Sequence, residues 1–152
     1  MGRFTVYLKT SSLSLLFLNV IQCCCWFFFT FGASYKNFLI HSQFTIYTDG
    51  SKTKTGTGAG FVVYNFNKTI HEDYFALTET TSIFQAEAFA IMEATKYLNI
   101  NRSLKPKYVK FFTDSRSVLQ ALDSNDITSS VILNTIERLN ILGSKTKRLT
   151  LN

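Results

Sequence analysis

The stretch Phe44–Gly60, FTIYTDGSKTKTGTGAG, decides how the rest of this chain is read. An apolar run (Phe44, Ile46, Tyr47) ends on Asp49 and Gly50, passes through a polar loop carrying Lys52 and Lys54, and reaches the glycine-rich run Gly56–Gly60. This is the pattern of a strand that delivers a carboxylate to its end and then turns back. Asp-Gly alone is also a common hairpin signal, so Asp49 gains meaning only if folding brings partners beside it.

Working outward, strand one is expected over Phe44–Thr48, strand two over Gly58–Asn65 and strand three over Thr69–Leu77, with a turn at Asn65–Lys68. Short connections between them imply an antiparallel meander. A helix follows, opened by Ser82 and Gln85 at capping-box spacing. Ile83, Glu87, Ile91, Ala94 and Leu98 fall on one face of it, so Glu87 points toward the sheet. An inward carboxylate must be paired, protonated or bound to a cation. Glu93 lies off that stripe and reads as a solvated surface charge.

Pro106 breaks the helix, and Tyr108–Thr113 forms a further strand that again ends on an aspartate, Asp114. A strand–helix–strand crossover lays this strand parallel to the first, which sets Asp49 and Asp114 at the same edge. Ser115 opens a short helix, Arg116–Leu122; Ser129 or Ser130 caps another, which Gly143 ends; Leu149–Leu151 begins a last strand. On the second of these helices Val131, Thr135, Arg138 and Leu142 share one face, and Ile132, Ile136 and Leu139 share a more apolar one.

Three carboxylates therefore have independent reasons to meet. Without a Cys or His partner they make a hard oxygen site, suited to magnesium or manganese and unsuited to zinc. Side by side they raise one another's pKa, and a cation is what keeps them all ionised. Two such cations ~4 Å apart serve phosphodiester cleavage.

Tyr47–Ser51 (YTDGS), Phe84–Glu87 (FQAE) and Phe112–Ser115 (FTDS) resemble the three successive motifs of type 1 ribonuclease H domains, in wording nearest to those of non-LTR retrotransposon polyproteins. The resemblance covers Phe44–Asn152. It implies a five-stranded mixed sheet flanked by helices (strands one to three antiparallel, four and five parallel), an α/β fold. It also implies cleavage of the RNA strand of an RNA–DNA hybrid with two Mg2+ or Mn2+ ions. Asp49, Glu87 and Asp114 would be catalytic metal ligands, and Gly50, Ser51 and Ser115 would contact the nucleic acid. A reverse transcriptase domain in a parent polyprotein, a monomeric state and a nuclear or cytoplasmic location belong to the same expectation.

Family members continue past the fifth strand into a histidine-bearing loop and a helix with a fourth carboxylate. The sequence reaches Asn152 before either, so the expectation is a domain incomplete at its C-terminus, with weakened metal binding and low activity. His41 and His71 do not stand where the loop histidine would and read as solvated or locally hydrogen-bonded. The competing readings are a non-catalytic nucleic-acid-binding remnant and a membrane-tethered protein.

That last reading comes from residues 1–43, expected to lie outside the domain. Leu13–Phe31, LSLLFLNVIQCCCWFFFTF, is uncharged and about as long as the ~20 residues a bilayer crossing needs. Arg3 and Lys9 before it also suit a leader peptide, although Asn19 and Gln22 interrupt the run, and a third reading is linker from a longer polyprotein or sequence translated from outside the original reading frame. Adjacent Cys23, Cys24 and Cys25 exclude a disulfide framework and a zinc site. The formal net charge is +6, and all ten acidic residues lie at or beyond Asp49. A polyanionic partner fits that balance. Lys52, Lys54, Lys145, Lys147 and Arg148 are the candidate phosphate contacts, with ordinary surface lysines as the plain alternative.

Overall fold

The computed structural model describes Thr5–Val6, a two-residue strand (β1), and the continuous stretch 43–152. β2 spans Phe44–Thr53, β3 Gly56–Asn65 and β4 Lys68–Leu77; they pair antiparallel in sequence, as expected. β2 is longer than its apolar run. It continues through Asp49 to Thr53, and the expected loop shrinks to the two residues Lys54 and Thr55. The glycine run belongs to β3, because its small residues pair directly with Ser51, Lys52 and Thr53. The Thr53 hydroxyl closes the turn, accepting from the Thr55 N–H at 3.3 Å and donating to the Gly56 carbonyl at 3.2 Å.

Helix α1, Ile83–Ile100, starts with the capping box. The Gln85 N–H donates to Ser82 Oγ at 3.2 Å, and the Ser82 N–H donates to Gln85 Oε1 at 2.8 Å. Its buried face is Ala86, Glu87, Ala90, Ile91, Ala94 and Leu98. Ile83 does not join that face: the helix makes its closest approach to the sheet at Ala86–Glu87, and the turn before it stays exposed. Glu93 is not solvated as expected. Its side chain is mostly covered and takes an ion pair from Lys96 at 2.8 Å.

β5, Tyr108–Phe112, lies parallel to β2, and β6, Arg148–Leu151, lies parallel to β5. Between them run α2, Arg116–Asp123, and α3, Ser130–Lys145. α3 passes through Gly143 and stops at Thr146, since nothing about Gly143 forces a left-handed residue there. Its buried residues, Ile132, Thr135, Leu139 and Leu142, draw on both faces proposed from the sequence. One core gathers Phe44, Ile46, Phe61, Val63, Val109, Phe111, Leu149 and Leu151 from the sheet with Ile91, Leu98, Val118, Ile132 and Leu139 from the helices. All three helices thus pack on the same side.

The result is the expected five-stranded mixed sheet flanked by helices. The strand order is β1-β6-β5-β2-β3-β4, with β1 as a sixth, edge strand parallel to β6. Of the segment 1–43, expected to stand outside the domain, Thr5 and Val6 pair with Thr150 and Leu151. The proposed span Leu13–Phe31, the three cysteines and His41 lie outside the described residues. No described helix is long and apolar enough to cross a membrane.

Candidate active site

The parallel pairing of β2 with β5 ends at Tyr47 opposite Phe112. Asp49 and Asp114 each stand two residues beyond that last pair, at the same level. There the two chains part: the Thr48 hydroxyl still reaches the Phe112 carbonyl at 3.4 Å, but the Thr113 N–H turns away to the Asn152 carbonyl at 3.0 Å. Asp49 is therefore held inside a strand that stays paired with β3 through Thr53, and not at a strand end as the sequence suggested.

Glu87 reaches the same corner from α1. What lets the helix come so near is Gly50, where an added Cβ would lie 2.6 Å from the Glu87 nitrogen and 2.9 Å from the Ala86 carbonyl carbon. One carboxylate oxygen from each of Asp49, Glu87 and Asp114 lies within 4.8 Å of the other two. Glu87 is buried, Asp49 half-buried and Asp114 exposed, so the corner is closed at the helix and open to solvent at the outer acid.

Burial pushes the Glu87 carboxyl up to about 8, with Asp114 and then Asp49 adding to the rise. Burial likewise lifts Asp49 to about 6, assisted by Asp114. The Gly50 N–H, a hydrogen-bond donor to both, pulls the other way. Glu87 Oε2 is buried and has no hydrogen-bond partner. A buried, unpartnered carboxylate oxygen beside two further carboxylates fits a hard divalent cation on donor chemistry. Among the described residues this is where three metal-capable side chains converge.

The other sequence-predicted residues distribute as follows. Gly50 is buried under α1 and acts as a spacer between strand and helix. Ser51 is half-buried on β2, and Ser115 is half-buried at the start of α2, its hydroxyl 3.2 Å from that of Ser117. Lys52 does not present a free ammonium: it donates to the carbonyls of Glu79 at 2.9 Å and Thr81 at 2.7 Å, tying the β2–β3 hairpin to the approach of α1. Lys54, Lys147 and Arg148 are exposed, and Lys145 reaches Asn99 Oδ1 at 3.4 Å. His71 is partly exposed on β4, and its ring stacks on Tyr97 with centroids 3.9 Å apart.

Sequence reasoning missed the spacer role of Gly50 and the tie made by Lys52. The first had a readable signal, since an isolated glycine inside a strand marks close approach of another backbone. The second had none, because the two accepting carbonyls are main-chain atoms far along the sequence.

Comparison with known proteins agrees with this geometry. A search of curated sequences found no match. Among solved structures, the chain is similar to RNase H1 from the halophilic archaeon Halobacterium salinarum NRC-1, with 16% identity and a TM-score of 0.56 over 72% of this chain and 83% of that one. It is similar to LC11-RNase H1, isolated from compost by a metagenomic approach and solved in complex with an RNA/DNA hybrid. There the identity is 20% and the TM-score 0.58, over 72% of this chain and 83% of that one. The N-terminal RNase H domain of rv2228c from Mycobacterium tuberculosis gives 17% identity and a TM-score of 0.55 over 71% and 83%. These likenesses carry the fold. The model of the RNase H family itself matches residues 41–145, well over half of the sequence and all three carboxylates, and the chain belongs to the RNase H family.

Proposed function

We propose that this chain is a hybrid ribonuclease that cleaves the RNA strand of an RNA–DNA duplex endonucleolytically, with Asp49, Glu87 and Asp114 holding Mg2+ or Mn2+. The carrying observation is the convergence of three carboxylates within 4.8 Å, one with a buried oxygen that has no partner. Family membership supports the hydrolase class, and the hybrid held by LC11-RNase H1 supports the substrate. The reading takes two ions, the number implied by the motif resemblance, acting on a domain of residues 44–152 that works as a monomer. The motif wording supports an origin beside a reverse transcriptase in a longer polyprotein.

When bound, such cations supply the Lewis acidity that phosphodiester hydrolysis needs near neutral pH. The chain's own residues set the stage for that. Glu87 is the buried anchor, fixed by α1 packing on Gly50. Asp49 is held by the β2–β3 ladder, and Asp114, exposed at the mouth, is the carboxylate a phosphodiester approaches. Gly50 through Ser51 and Ser115 flank the corner and serve as contacts to the nucleic-acid backbone. Exposed Lys54 at the hairpin tip supplies positive charge for phosphates.

The test is incubation of the full chain with a labelled hybrid and Mg2+ or Mn2+, beside Asp49→Asn. Metal-dependent cleavage lost in the variant supports the reading. Binding without cleavage would instead mark a nucleic-acid-binding domain that keeps the fold and lacks the chemistry.

A further inference from the structure

The acid corner lies beyond the last pair of β2 and β5, and the chain enters β5 and β6 at the opposite end of the sheet. The connections that lead into those two strands, from α1 and from α3, are stitched together there. The N–H groups of Lys147 and Arg148 both donate to the Lys107 carbonyl, at 2.8 and 3.2 Å. Lys145 Nζ donates to Asn99 Oδ1 near the end of α1 at 3.4 Å. Exposed Arg102, Lys105 and Lys107 thus stand beside exposed Lys145, Lys147 and Arg148.

No acid offsets them. Residues 94–113 and 138–152, which build this end, contain no aspartate or glutamate, and all ten acidic residues of the chain lie elsewhere. Lys96, earlier on α1, has Glu93; among the described residues none of these six cations has such a partner. Like charges gathered in this way repel one another and raise the local potential that draws in a polyanion. Tyr108, 40% exposed, is the cross-strand neighbour of Arg148, which sets a ring among the cations. Cations that track phosphates, with an aromatic ring on which a base can stack, are the combination that holds nucleic-acid single strands. At the rise of extended chain Tyr108 is ~20 Å from Asp114, too far for this end and the acid corner to share one phosphate.

We infer that this basic end is a second nucleic-acid site, which holds a single-stranded segment through its phosphates and a base stacked on Tyr108. It is separate from the contacts at the acid corner. The inference rests on charge placement and exposure and does not depend on the catalytic reading.

Binding of a fluorescein-labelled, mixed-sequence single-stranded DNA to the full-length chain in EDTA, read by anisotropy across a salt series, tests it. Without metal the result is independent of whether the chain cleaves a hybrid. The parent should bind. Lys105→Gln, Lys107→Gln and Lys147→Gln combined should weaken binding at least about tenfold and flatten the slope of log affinity against log salt by about 2, at about 0.7 for each phosphate contact. Tyr108→Ala should weaken binding about fivefold or more with that slope unchanged, since stacking releases no counterions. In the unmodified chain, saturating DNA should protect Lys105, Lys107 and Lys147 from acetylation. No binding by the parent, unchanged affinity in the triple variant, or protection confined to Lys54 overturns the inference. Binding to phosphatidylserine vesicles without binding to the DNA would make this end a membrane contact and would equally overturn it.

Discussion

Gly50 and Glu87 are in contact through their main chains, closely enough that a methyl group at Gly50 would sit 2.6 Å from the Glu87 nitrogen. Strand and helix have no room to separate these residues without moving the whole of α1. Gly50→Ala should therefore lower stability by about 1–3 kcal/mol, as overpacking does. It should also weaken cation binding, because Glu87 is carried outward with the helix. Denaturant melts with and without Mg2+ check both; unchanged stability would mean that α1 is not held by this contact.

Glu87→Gln separates folding from chemistry. The glutamine removes a buried carboxyl that repels two others. The metal-free variant at pH 8 should be as stable as the parent or more so, while the extra stability that added cation gives the parent is lost. For a cation at a hundredfold excess over its Kd, that extra stability is about 2.7 kcal/mol. Thermal melts of both proteins across a Mg2+ titration decide the matter.

Stability without metal should fall as pH rises. A carboxyl whose pKa is higher in the folded than in the unfolded chain binds its proton more tightly when folded. Its contribution is complete below the unfolded value and drains away as pH climbs through the folded one. For Asp49 that window runs from 3.8 to about 6, and for Glu87 from 4.5 to about 8. Melting temperatures of the metal-free protein should thus decline between about pH 4 and 8, and Mg2+ should restore more at pH 8 than at pH 5. A rising metal-free profile over that range would contradict the electrostatics of the corner.

Asp49→Asn and Asp114→Asn should each reduce hybrid cleavage by at least about two orders of magnitude, the scale of losing one preorganised electrostatic contact. His71→Ala should leave cleavage intact and cost about 1 kcal/mol of stability through loss of the stack on Tyr97. A loss of cleavage on His71→Ala would place that ring in the chemistry, against its position on β4.

Lys52→Met should cost about 1 kcal/mol by removing two donors from the loop before α1. Hybrid binding should change less than for Lys54→Met, whose ammonium is not committed to carbonyls. Binding curves at two salt concentrations distinguish them, since only a phosphate contact changes the salt dependence.

Most of the acidic corner was legible in the sequence because each acid is announced locally. Asp49 and Asp114 follow apolar strand-forming runs, and Glu87 interrupts an apolar helical stripe behind a capping box. Their convergence followed from the parallel crossover alone. What was not legible depends on partners remote in sequence. The continuation of β2 through Thr53 needs the glycines of β3 as pairing partners, and Gly56–Gly60 carries little strand propensity of its own. Glu93 looks solvated on a helical wheel, yet α1 packs on α3 as well as on the sheet, so its less apolar side is partly covered too. Gly143 resembles a helix stop, but the buried Leu142 and the β6 residue Leu149 hold α3 in place past it.

That Asp49 sits within a paired strand, and not at a loop tip, ties the proposed catalysis to cooperativity. A carboxylate on a free loop can be lost by local fraying while the domain stays folded. Here the ladder from Phe44 to Thr53 and the core beneath it must open together before Asp49 can leave its neighbours. Heat should therefore switch this protein off all at once, with the temperature of half-maximal cleavage and the midpoint of unfolding coinciding.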